Sequence, residues 1–218
     1  MHTESQAARA TAQAEHWRMA RSPVMPMNGS VNQLRKHYWA VLANVYLPKG
    51  LQPSLQQRTV AAWLWSRRRG TIAGAAAAAL HGARWIPDDV PIELVHPNAR
   101  APQGVLTRRD VLLDGEVQVI SGLGVTTPER TAFDIGRRGA ARSGVARLDS
   151  LARATGFKID DVLAVIACHP GSPGLRRLET VLERMGWIIV RVVAENRPAV
   201  IMQRVREALE AAAERSRS

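Results

Sequence analysis

Glu116-Val-Gln-Val-Ile120, followed closely by Gly124-Val-Thr-Thr-Pro-Glu-Arg-Thr-Ala-Phe-Asp134, is the stretch on which the fold class turns. Its first part alternates apolar and polar residues, which puts Val117 and Val119 on one face of a strand. Its second part carries a helix start. Thr127 is the N-cap and Pro128 opens the first turn, where a missing N–H leaves no hydrogen bond unmade. A strand giving way to a helix within a few residues predicts an α+β chain.

Further strands are expected upstream at Pro91-Ile-Glu-Leu-Val-His96 and Gly104-Val-Leu-Thr-Arg-Arg109, short apolar runs bounded by proline and glycine. Before them, alanine dominates Ala73 to Leu80 and predicts a helix that stops at Gly82. Ser54 with Gln57 forms a capping box after Pro53 and opens a helix through about Arg67. Trp39 to Leu47 supplies β-formers and ends at Pro48, as a strand or wing does, and Asn28 to Lys36 suits a short helix. Residues 1–27, with Pro23 and Pro26 and no sustained apolar period, are expected to be a flexible tail.

Downstream, helices are expected near 141–154 and 158–167, the second presenting Ile159, Val162, Leu163 and Ile166 on one face. Leu178, Val181, Leu182 and Met185 repeat that spacing. Trp187 to Val193 is a nearly continuous apolar run, as in a strand covered on both faces. A closing helix then offers Val200, Ile201, Val205, Leu209 and Ala212 on one stripe. If nothing else covers this strand and helix, residues 187–209 are expected to drive self-association.

The chain has 218 residues, 46% of them hydrophobic, enough to bury a core. The single cysteine, Cys168, forms no internal disulfide and fits a small neutral thiol. No apolar run reaches the roughly 18 residues of a membrane span, and the start lacks the apolar stretch of a secretory signal, so a cytoplasmic location is expected. The formal net charge is +11, with 27 arginines against Lys36, Lys49 and Lys158, which is also how a GC-rich coding bias looks. Distribution is more telling than the total. From His16 to Pro87 there is no acid, while Arg18, Arg21, Arg35, Lys36, Lys49, Arg58, Arg67, Arg68, Arg69 and Arg84 all fall there. Such a segment attracts phosphates, though a solvated basic surface would look the same. Arg35, Lys36, Arg58, Arg67, Arg68 and Arg69 are the candidate nucleic-acid contacts.

Several blocks taken in order resemble one family: Leu55-Gln-Gln-Arg-Thr-Val-Ala-Ala-Trp-Leu-Trp-Ser-Arg-Arg-Arg69, Ile72-Ala-Gly-Ala-Ala-Ala-Ala-Ala-Leu-His-Gly82, Val90-Pro-Ile-Glu-Leu-Val-His96, and Gly124 to Asp134. They are similar to actinobacterial, especially mycobacterial, proteins that join an abortive-infection type IV antitoxin-like (AbiEi-like) region to a nuclease domain related to very-short-patch-repair endonucleases. Leu182 to Val193 and Ala194 to Leu209 resemble the end of that nuclease. The resemblance implies a partial winged-helix-like segment at 28–50, with Val31-Asn-Gln-Leu-Arg-Lys-His-Tyr38 as its second helix. It further implies a small mixed α/β antitoxin-like domain over 51–178, closing in a helical segment. Residues 179–218 would then be a remnant of the nuclease C-terminus, an orphan strand–helix unit.

The family places its metal-binding carboxylates and lysine between the regions matching Leu178 and Leu182, and the chain has no room for them there. No catalysis, cofactor or metal is therefore expected. Glu179 and Glu183 fit surface partners of Arg176 and Arg184. Pro87-Asp88-Asp89 with Glu93 imitates a nuclease signature, but Val95 stands where lysine is required. His81 and His96 suit capping or core contacts, and the adjacent Cys168 and His169 are not expected to serve one task. The resemblance implies a non-catalytic nucleic-acid-binding or regulatory protein of antitoxin or defence type, with DNA and a cognate toxin or another protein as partners. A protein-interaction module and a degenerate product without activity are the alternatives.

Overall fold

In the computed structural model, residues 38–43, 45–50, 52–186 and 197–215 are described. The expected tail at 1–27, the short helix at 28–36 and the strand at 187–193 lie outside them. The described residues form a two-stranded hairpin, a five-stranded mixed sheet and seven helices, which is the α+β class expected.

The hairpin pairs β1 (Tyr38–Leu42) with β2 (Val45–Pro48) antiparallel, so the run Trp39 to Leu47 is two strands. It packs on the element that follows. Leu42 and Val45 are buried in the same apolar cluster as Leu55 at the start of α1 (Leu55–Trp65). The capping box is present as read: Gln57 N donates to Ser54 Oγ at 3.3 Å, and Ser54 N donates to Gln57 Oε1 at 3.1 Å.

The five-stranded sheet is built around β3 (Thr71–Ala73), which runs without a loop into α2 (Gly74–Leu80). Strand β3 lies antiparallel to β4 (Ile92–Val95) and parallel to β7 (Leu123–Thr126). Outside them, β5 (Val105–Arg108) is parallel to β4 and β6 (Val117–Ile120) is antiparallel to β7. The order is β5-β4-β3-β7-β6. Ser121 and Gly122, both at positive φ (50° and 82°), make the two-residue turn between β6 and β7, the geometry that matches the strands' twist.

Alternation in β6 misleads about burial. Val117 and Val119 share a strand face as expected, but both are exposed, Val119 at 74%. The strand lies at the sheet edge, where Ile120 alone of its residues packs against the core, and the core side of this hairpin is supplied mainly by Leu123 and Val125 of β7.

Helix α2 is buried nearly all round, with Ala75, Ala76 and Ala77 against the sheet cluster and Ala78 against a second, helical cluster. Methyl groups let it sit between two layers, as a helix apolar on every side does. The second cluster joins α3 (Pro128–Arg137), α4 (Ala141–Thr155), α5 (Ile159–Cys168) and α6 (Leu175–Arg184) around Phe133, Leu148, Leu151, Val162, Leu178 and Leu182. Each such side chain contributes about 1.5–3 kcal/mol by burial. The junction expected between residues 178 and 179 falls inside α6, whose Leu178, Val181 and Leu182 all enter this cluster. Last comes α7 (Pro198–Arg215), on which Val200 and Met202 are exposed. Among the described residues no helix is long and apolar enough to cross a membrane.

Candidate nucleic-acid interface

The arginine run Arg67–Arg69 sits where α1 ends. Ser66 Oγ donates to Trp63 O at 2.6 Å and accepts from Gly70 N at 2.9 Å, which fixes the exit of the chain. Arg67 and Arg68 both take left-handed backbone, φ 57° and 62°, a conformation costing about 1–3 kcal/mol for residues with a Cβ. In return their amides satisfy the last helix carbonyls, Arg67 N to Leu64 O at 2.9 Å and Arg68 N to Trp63 O at 3.0 Å. All three side chains are exposed, and the Arg68 guanidinium lies 5.7 Å from the centre of the Trp63 ring. Cations also suit this end of a helix, where the dipole is negative.

Beside the turn lies a hollow of about 690 Å³ that Arg67, Arg69, Trp65, His96 and Asn98 help to line. The amide of Asn98 donates to His96 Nδ1 at 3.2 Å, so the ring proton belongs on Nε2, a buried atom without a hydrogen-bond partner among the described residues. Burial, and then the Arg69 charge, lowers the His96 pKa and keeps the ring neutral.

Of the other expected contacts, Arg35 and Lys36 lie outside the described residues. Arg58 is held elsewhere. Its Nη1 donates to the carbonyls of Asp88 and of Val90, the latter at 3.0 Å, and so ties the loop before β4 to α1. The residues that imitate a nuclease signature have structural partners. Asp88 Oδ1 accepts from Leu55 N at 2.7 Å at the start of α1, and Glu93 pairs with Arg108 at 3.0 Å and Arg138 at 3.3 Å. Among the described residues no group of histidine, cysteine and carboxylate side chains could hold a metal ion.

A second basic feature was not anticipated. Three arginine doublets, Arg108-Arg109, Arg137-Arg138 and Arg176-Arg177, converge from β5, the end of α3 and the start of α6 on a groove of about 820 Å³. The doublets themselves were the sequence signal. Unlike the acid-free segment, these doublets lie among acids in the chain. Asp110 accepts from Arg137 at 2.7 Å and from Arg138. Asp134 accepts from Arg137 at 2.9 Å and Arg138 at 3.2 Å. Burial pushes the Asp110 pKa up, but the hydrogen bonds and charges of these two arginines outweigh it and hold the carboxyl below its ordinary value. Arg109 and Arg176 have no ion-pair partner among the described residues. The groove adjoins the first hollow through the sheet, since His96 N donates to Arg108 O at 2.8 Å.

Behind the groove, Arg130 is 1% exposed and held through Nε and Nη1. It meets Glu116 at 2.5 Å and Asp134 at 3.3 Å, and it donates to Val111 O at 2.9 Å. His169 Nε2 lies 2.6 Å from the other Glu116 oxygen, where a protonated ring nitrogen donates to the carboxylate. Burial raises the Glu116 pKa, but the Leu113 amide, His169 and Arg130 together bring it below the usual range. Cys168 is exposed while His169 enters this network, so the two neighbours do separate things. His81 Nε2 donates to Thr126 O at 2.7 Å, the core contact expected of it. Its pKa is lowered by burial, against the opposing pull of the Thr126 carbonyl and Glu129.

The sequence profile of the AbiEi antitoxin C-terminal domain matches residues 70–184, from the central strand to the end of α6. No curated protein and no solved structure gave a significant match to the chain.

Proposed function

Because the chain belongs to the AbiEi antitoxin C-terminal domain family by its match over residues 70–184, we propose that it is the antitoxin of a toxin–antitoxin or defence pair, a non-catalytic regulator that engages a cognate toxin and contacts DNA. The observation that carries the DNA contact is the exposed Arg67–Arg69 turn, held on two successive left-handed residues beside a hollow that Arg67 and Arg69 help to line. Guanidinium groups there reach phosphate without base contacts, so binding is expected to be salt-dependent and weakly sequence-dependent. The nuclease-like character of the C-terminal stretch also belongs to this proposal, and rests on the resemblance of residues 182–209 alone.

Fluorescence anisotropy on a labelled duplex across a salt series tests it. The triple variant R67E/R68E/R69E should weaken binding at least tenfold and flatten the log–log salt slope by about 2–3, near the loss of three phosphate contacts. Binding to no duplex at low salt, or binding that the variant leaves intact, would end the DNA part.

A second role, protein contact, is favoured by the β6 edge, where Val117 and Val119 stand exposed beside an open strand. V117K/V119K should release a co-expressed toxin while duplex binding persists.

A further inference from the structure

Helix α6 starts in a way that helices avoid. Its N-cap is Gly174, no side chain caps the first turn, and that turn holds Arg176 and Arg177 with no acid. Positive charge is thus added to the end of the helix dipole that is already positive. The amides of Arg177 and Leu178 both turn back to Gly174 O, at 3.0 and 3.1 Å, which leaves those of Leu175 and Arg176 without an acceptor among the described residues. The position of this helix end is fixed. Gly174 has φ +89°, and a Cβ there would lie 2.2 Å from Arg137 O, so the α6 start is pressed onto the end of α3.

Around it the groove supplies more donors than acceptors. The carboxylates of Asp110, Asp134 and Glu93 answer Arg108, Arg137 and Arg138. Among the described residues Arg109 and Arg176 have no counter-charge, and Arg177 donates only to the neutral Gly139 carbonyl. Free amides at a helix start with three unbalanced guanidiniums in one open groove form a set that an oxyanion completes.

We infer that this groove is a phosphate site, seating one phosphoryl group between the first α6 amides and Arg109, Arg176 and Arg177. It is separate from the duplex contact at Arg67–Arg69 and does not depend on it. The phosphoryl group belongs either to a free nucleotide or to a nucleic-acid strand.

Titration calorimetry on the full chain, in chloride at constant ionic strength, tests the site. The probes are pyrophosphate, a nucleoside triphosphate, and a short single-stranded oligonucleotide with and without a 5′-phosphate. Saturable pyrophosphate binding is expected, weakened at least tenfold in R109E/R176E and changed less than twofold in R67E/R68E/R69E. The triphosphate binding most tightly would assign the source to free nucleotides, and the 5′-phosphorylated strand binding most tightly would assign it to nucleic acid. Should R109E/R176E fail to reach the parent's melting midpoint, R109Q/R176Q replaces it, with an expected loss of at least threefold. No saturable pyrophosphate binding up to millimolar concentrations overturns the proposal. So does binding that survives in the Arg109 and Arg176 variants or is lost in the Arg67–Arg69 variant.

Discussion

Arg130 and the Arg67–Arg69 turn contain the same side chain in opposite circumstances. Arg130 is buried between Glu116 and Asp134, with its donors directed at those carboxylates and the Val111 carbonyl. The turn holds its guanidiniums in water, and the backbone beneath them is what the helix end uses. A formal charge of +11 therefore mixes cations that hold the fold with cations left free to meet a ligand. Free partners, and not the number of arginines, mark the ones available for binding.

The largest effect that separates the two regions should come from Arg130→Ala. It would leave buried Glu116 with only the Leu113 amide and His169 against its charge, while Asp134 keeps Arg137 and Arg138, and urea unfolding should show a loss of about 3–5 kcal/mol. A loss below about 1 kcal/mol would mean that the network is not what holds this region. Acid attacks the same region from the carboxylate side. Glu116 and Asp110 have folded pKa values below their ordinary 4.5 and 3.8, so their stabilisation is present above those values and lost as pH falls through the lower folded ones. His81 and His96 are also depressed from 6.5, so their share is complete above pH 6.5 and declines below it. The melting midpoint should fall in two stages, gently from about pH 6.5 and steeply below about 4.5. A midpoint that stays flat down to pH 4.5 would remove the histidine stage.

Gly174→Ala should cost about 1–3 kcal/mol, because φ +89° and the approach to Arg137 O leave no room for a methyl group. An unchanged denaturation midpoint would show that α6 can draw back from α3. The smallest change is expected in the exposed turn itself. Replacing Arg67 and Arg69 by glutamine should shift stability by about 0.5 kcal/mol or less while duplex binding weakens. A larger loss of stability would make the turn as structural as Arg130 and erase the contrast.

How far the sequence revealed this arrangement depended on range. Ser54 with Gln57, and Thr127 with Pro128, were legible because a cap is settled by neighbours in the chain. The alternation of Val117 and Val119 gave a strand correctly but not its cover, since that depends on which elements lie across the sheet. Strand β3 has three residues, too few for any period to show. His169 looked inert next to Cys168 because its partner, Glu116, is 53 positions away. Arg58 was selected for its acid-free surroundings, yet the loop before β4 folds back to occupy it. The groove arginines are hidden for the converse reason, since Asp110 and Asp134 lie near them in sequence but answer only some of the doublets.

The loopless passage from β3 into α2 also shapes how the molecule is made. Ile72 leaves the ribosome early, but its parallel partner is Val125 on β7, and among the described residues nothing nearer in the chain pairs with that side of β3. At about 5–20 residues per second, synthesis separates the two by roughly 3–10 s. Through that interval the nascent chain carries an open strand edge joined to an alanine helix that has no second layer to enter, which is the state that chaperones recognise. The domain closes only when β7 and the following helix have emerged, so a ribosome pause that keeps them in the exit tunnel would lengthen the exposure, and one placed after both have emerged would not.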